Sequence, residues 1–139
     1  MELKAVLVCD DLRREVGNKL SAIGLYNESI VFPPGGPSAL ALPRLAVLFV
    51  VRGMLGVASY RYRHFLHYEP AGPLPDPPMQ DGQRGPDNDE HNFVLQITPF
   101  IVPGPGRVRA VLEVDPGNDR RSRFEYAFEI RLADPGTIQ

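Results

Sequence analysis

The chain has 139 residues, with 15 Lys and Arg against 17 Asp and Glu, one cysteine, 15 Pro and 13 Gly. A net charge of −2 argues against a dedicated nucleic-acid binder, whose footprint is basic, and the lone Cys9 rules out an intrachain disulfide. No apolar run approaches the roughly 20 residues a membrane helix needs, and the length fits one domain spanning residues 1–139.

In chain order, residues 3–9 predict a short strand, and 11–16 one helical turn capped by Asp10 or Asp11 and stopped by Gly17. Gly17-Asn18 reads as a turn. Residues 19–26 alternate loosely, with Leu20, Ala22, Gly24 and Tyr26 opposite Ser21, Ile23 and Leu25, and predict a second strand. Residues 30–32 are a short extended piece ended by the PPGGP run at 33–37.

Residues 45–51, LAVLFVV, are apolar without a break and predict a strand buried on both faces. Residues 57–68 alternate: Ala58, Tyr60, Tyr62, His64, Leu66 and Tyr68 share one side, and Val57, Ser59, Arg61, Arg63, Phe65 and His67 the other. The expected arrangement is a hairpin of these two strands, closed by RGMLG with Gly53 and Gly56 supplying backbone freedom. Both faces of 45–51 want cover. One can use the core; the other needs a loop, a neighbouring sheet or another copy of the chain.

Residues 69–91 hold six Pro and six acids against Arg84 alone, a local charge of −5, and predict an exposed, mobile loop. Beyond it, Phe93, Leu95 and Ile97 share a face, and PGPG at 103–106 turns the chain. Val108, Ala110, Leu112 and Val114 point inward, with Arg107, Arg109, Glu113 and Asp115 outward. DPGND at 115–119 is a further turn, after which Phe124, Tyr126, Phe128, Ile130 and Leu132 point inward. No stretch holds an apolar 3.6-residue period. The expected fold is all-β: an antiparallel, immunoglobulin-like β-sandwich of about seven strands.

Cys9-Asp10-Asp11, followed by Gly17-Asn18-Lys19-Leu20-Ser21-Ala22-Ile23-Gly24-Leu25-Tyr26, resembles a family of short bacterial proteins of unknown function. In that family an apolar N-terminal strand ends near Cys-Asp, and Gly-Lys-Leu-Ser is followed by a Gly and an aromatic. Pro103-Gly104-Pro105-Gly106, ahead of the last two strands, is similar too. The resemblance implies a β-sandwich and no activity, because the family has none assigned. The acidic segment 69–91 departs from the pattern.

The residues capable of chemistry read mostly as structural. His64 and His67 are three apart, so a strand puts them on opposite faces, and no metal site is expected. The carboxylates of 69–91 lack the EF-hand spacing. With successive connections alternating ends, Asp10-Asp11 falls at the end with RGMLG and PGPG, away from the acidic loop and the 115–121 turn, where Arg120 and Arg121 offset the loop's charge. Cys9 lacks a nucleophile elbow and reads as a packed residue. No phosphate-binding loop is present, and no cofactor is expected. The most specific surface feature is a stripe of Arg61, Arg63, Phe65 and His67, a basic face interrupted by an aromatic that wants a partner.

The sequence therefore predicts a non-catalytic module that binds a protein partner or itself, with no nucleic acid and no membrane. The N-terminus lacks a signal peptide's apolar segment, so a cytoplasmic location is expected. The alternatives are a hydrolase using carboxylates around Asp10-Asp11 or the acidic loop, and a calcium or small-ligand module at the loop end.

Overall fold

The computed structural model describes residues 1–17, 19–34 and 39–134. Asn18 of the first turn and residues 35–37 of the PPGGP run lie outside the described residues. Eleven strands lie among those described: β1 (Glu2–Glu15), β2 (Lys19–Tyr26), β3 (Ser29–Phe32), β4 (Leu40–Leu42), β5 (Leu45–Arg52), β6 (Ser59–Tyr68), β7 (Gln80–Gln83), β8 (Glu90–Ile97), β9 (Phe100–Val102), β10 (Gly106–Asp115) and β11 (Ser122–Leu132). A single 3₁₀ turn, Glu69–Ala71, follows β6. The all-β class is as expected. The count of about seven is corrected to eleven, because β3, β4, β7 and β9 are strands of only three or four residues, too short for a period-two signal to emerge.

Three sheets form. One is four-stranded in the order β2-β1-β5-β8, one five-stranded in the order β3-β11-β10-β6-β7, and β4 pairs with β9 alone. All pairings are antiparallel except β3 with β11, which is parallel. One apolar core draws on all three sheets: Val47, Phe49 and Val51 from the first, Val108, Leu112 and Ile130 from the second, and Leu40 and Phe100 from the small pair. Each fully buried side chain of this kind contributes roughly 1.5–3 kcal/mol of transfer free energy.

The expected β5–β6 hairpin does not exist. β5 pairs with β1 on one edge and β8 on the other, so no edge is left for β6, which pairs with β10 and β7 in the other large sheet. The RGMLG segment is thus a crossing between sheets. Gly53 and Gly56 take φ of +94° and +81°, and Met54 between them is fully buried in the core. Its backbone N–H donates to Asp89 O at 2.9 Å, and that of Gly56 to Pro86 O at 2.8 Å.

The burial of β5 on both faces holds. Leu45, Val47, Phe49 and Val51 face the shared core, while Ala46 and Leu48 join a second cluster with Cys9 and Leu12. Part of the cover for that second face comes from the β1–β2 hairpin. The helical turn expected over 11–16 is strand instead: β1 runs on to Glu15, because residues 11–15 pair with 19–23 of β2 and the ladder satisfies their backbone groups. The β1–β2 ladder skips Asp10 and Gly24, where Gly24 takes φ +68° and a Cβ would strike the Asp10 carboxylate. Simple alternation groups Leu12, Leu20 and Ala22 with the core-facing Val8 and Tyr26. Beyond Gly24 they pack instead with Cys9, Ala46 and Leu48.

Segment 69–91 is not one open loop. Residues 80–83 form β7 against β6, and β8 begins at Glu90. Arg84 ties the remainder down, donating to the carbonyls of Met54 (2.5 Å), Val57 (2.8 Å), Asn88 and Glu90 (3.2 Å). The expected division of the loops between two ends also changes. The 53–58 crossing bonds to residues 86 and 89 and shares a hollow with Pro116 and Gly117. β2 and β5 both pair antiparallel with β1 and so run the same way, where simple alternation has them opposed.

Candidate binding face

Arg61, Arg63, Phe65 and His67 alternate with the inward residues of β6 and share the outer face of the five-stranded sheet. Their ladder neighbours on β10 are Asp115, Glu113, Val111 and Arg109 respectively. The β-strand period brings the four together as the sequence implied, but register adds what the sequence did not reveal. Each basic side chain except His67 stands beside an acid of the neighbouring strand.

Glu113 is the centre of this face. Sequence alternation assigned it to solvent, yet it is only 4% exposed. Its carboxylate accepts from Arg63 Nε at 2.9 Å, from an Arg121 terminal nitrogen at 2.5 Å, and from Arg123. Asp76, from the segment after β6, approaches Arg63 at 3.3 Å and Arg123 at 3.5 Å. Arg63 also donates to Pro77 O at 3.1 Å. Burial pushes the Glu113 carboxyl up, but the hydrogen bonds from Arg121 and Arg123 and the charge of Arg63 outweigh it and hold the group below its ordinary value. The basic stripe is thus a compensated ion network, and it is Asp76 rather than Arg120 that carries the acidic segment's charge to it. Arg121 does reach the segment, at Met79.

Phe65 does not stand bare. The Arg123 guanidinium lies 5.9 Å from its ring centroid, a cation–π arrangement. Phe65 and His67 line a groove of about 180 Å³ with Leu74, Arg109 and Arg123. Arg109 is held by Glu69 at 2.6 Å and Glu125 at 3.6 Å. Arg61 lies in the ladder between Asp115 and Asp81 and lines a hollow of about 410 Å³ with them.

His64 is on the opposite side of β6 from His67. Its ring stacks on Tyr62 at 5.4 Å, its Nδ1 is buried without a hydrogen-bond partner, and burial lowers its pKa. His91 of β8 sits 2.8 Å from the Tyr60 hydroxyl, and burial, with the charge of Arg84, lowers its pKa too. Among the described residues no three His, Cys, Asp or Glu side chains converge as a metal site. Carboxylates of the acidic segment are dispersed: Asp89 accepts from the Gly53 N–H at 3.2 Å, and Glu90 pairs with Lys4 at 2.5 Å and Arg52 at 3.7 Å.

Asp10 accepts from the Tyr26 hydroxyl, and burial together with that carboxylate raises the Tyr26 pKa. Asp11 takes Arg13 and Arg44, each at 3.2 Å, which lower its pKa, Arg13 most. Cys9 is fully buried with Sγ 3.4 Å from Asp11 O, and burial raises its pKa, away from the thiolate a nucleophile needs.

The residues that sequence reasoning missed are Glu113, Asp76 and Arg84. A Glu inside the apolar run VLEVD was the one available signal. Asp76 and Arg84 reach their partners through tertiary contacts far along the chain. No family model matches this chain, and neither a curated protein nor a solved structure matches it.

Proposed function

We propose that this chain is an immunoglobulin-like sandwich that acts by binding a protein, another or itself, and not by catalysis. The strand order supports the immunoglobulin-like reading. β5 lies between β1 and β8 as strand B lies between A and E, and β6 lies between β10 and β7 as C lies between F and C′. It also agrees with the resemblance to short bacterial proteins of unknown function, whose bacterial origin the proposal adopts, together with the cytoplasmic setting expected from the N-terminal sequence.

The observation that carries the binding reading is aliphatic surface left open on edge strands of both large sheets: Ile23 and Leu25 on β2, and Val31 on β3. Exposed edges with apolar side chains are templates for pairing with another chain. Several of the carboxylates that a hydrolase or a calcium site would use are engaged instead. Asp10 is held by Tyr26, Asp11 by two arginines, and Glu90 by Lys4 and Arg52. The groove beside Phe65 and His67 is a second surface for a partner.

The test is affinity purification of the tagged chain from its native host, with light scattering on the eluate. The expected result is a stoichiometric partner or a defined oligomer. Loss of a partner on Arg61→Glu or Phe65→Ser assigns it to the outer face of β6. A monomer that retains nothing stoichiometric overturns the proposal.

A further inference from the structure

We infer that the free edge of β2 pairs antiparallel with β2 of a second copy of the chain, extending the four-stranded sheet across a two-fold axis. This rests on the binding reading above and names the surface and the occupant.

The choice of edge follows from comparing the four that the two large sheets present. β3 and β7 are four residues long, β3 is followed by Pro33 and Pro34, and β7 reads Gln-Asp-Gly-Gln. β8 has eight residues but carries Glu90, His91, Asn92 and Gln96. Short length, proline and charge are the devices that keep sheet edges from pairing. β2 carries less of this protection: it spans eight residues, contains no proline, and has its one charged residue, Lys19, at its start, with a ladder irregularity at Gly24. Its exposed aliphatic side chains, Ile23 at 41% and Leu25 at 58%, flank the irregularity at Gly24. Leu20 and Ala22 are already spent on the cluster beneath the hairpin. An open hollow lined by Leu25, Tyr26, Asn27, Glu28 and Ser29 continues from the strand's end.

Charge makes the occupant a second copy. Lys19 opens β2 and Glu28 lies just past its end; both are exposed, and neither forms an ion pair among the described residues. An antiparallel two-fold register centred at Ile23 brings Lys19 of one copy to within one residue of Glu28 of the other. Symmetry repeats that pair on the far side of the axis. The same axis sets Ile23 against Ile23 and pairs ladder N–H and C=O groups of the two edges on either side of Gly24.

Light scattering on the purified full chain across a dilution series tests this. The expected species is a dimer that dissociates on dilution. Lys19→Glu, and separately Glu28→Lys, each weaken it by about tenfold or more, since like charges then face one another twice. The double variant, carrying both changes, restores it. Ile23→Lys gives a monomer with unchanged far-UV circular dichroism and the melting temperature of the wild type diluted to monomer, because that side chain is exposed in the monomer. A wild type that is monomeric throughout overturns the edge inference, as does a dimer indifferent to the charge reversals. A monomer that still captures a stoichiometric partner through Arg61 or Phe65 leaves the binding reading standing, whereas one that captures nothing ends both.

Discussion

Glu113 shows how one acid organises a face. Arg63, Arg121 and Arg123 converge on a carboxylate whose side chain is 6% exposed. Removing one member of a buried ion cluster costs about 3–5 kcal/mol, because the remaining charges lose their counter-ion. Arg121 and Arg123 reach water, so Glu113→Gln is expected at the low end, about 3 kcal/mol less stable by chemical denaturation at neutral pH. The carboxyl is depressed in the folded chain. Its stabilisation is therefore complete above the ordinary glutamate value of about 4.3 and is lost as pH falls through the lower folded value. In Glu113→Gln that portion of the acid dependence is absent.

His64 and His91 act at higher pH with the same sign. Both are lowered by burial in the folded chain. The unfolded chain takes up their protons near pH 6.5, so stability is full above about 6.5 and declines as pH falls toward the folded values. Melting temperature measured through this window is expected to fall on acidification, with a shallower slope in His91→Gln. An unchanged slope in that variant would remove His91 from the account.

Among the elements, the connections decided most. Arg84 gathers four carbonyls, from the 53–58 crossing, from Asn88 and from Glu90 at the start of β8. Hydrogen bonds to a charged group contribute about 1.5–3 kcal/mol each at most, and Arg84→Met removes the donor from four carbonyls, three of them in part-buried bonds. Its expected cost is about 2–4 kcal/mol. Amide exchange should accelerate in residues 53–58 and 84–90 while β10 and β11 keep their protection. Uniform acceleration across the chain would contradict a local clamp. The β1–β2 hairpin makes a similar point about sequence reading. Its strand starts were legible, but the continuation of β1 to Glu15 was not. Residues 11–15, DLRRE, carry helix-compatible side chains, and only pairing with 19–23 makes them strand.

For the whole molecule, the shared core is the controlling feature. Phe49 is completely buried among residues of a cluster drawn from all three sheets. Phe49→Ala is expected to cost about 3–5 kcal/mol. Because the cluster is common to the sheets, the wild type should unfold in one transition, with tyrosine fluorescence and far-UV circular dichroism superimposing. Two separated transitions would show that the sheets are held independently.

Sequence alone determined the class of structure and which side of most strands faces inward. Period-two alternation in 57–68, 107–115 and 123–132 and the unbroken apolar run 45–51 are local patterns, and local patterns report burial. The same alternation grouped Arg61, Arg63, Phe65 and His67 on one face. Only the tertiary structure decided which strands pair, and therefore what stands beside that face. Pairing is set by which edges remain unoccupied, a property of the assembled sheet. β5, flanked by β1 and β8, has no edge to offer β6. That displacement puts Glu113 beside Arg63 and lets Asp76 reach across, turning an apparent basic stripe into a balanced network. It also leaves β2 at the rim with Ile23 and Leu25 in water. Side-chain character is written residue by residue, whereas neighbours 50 positions apart, as Arg63 and Glu113 are, are selected only when the sheets close on one core.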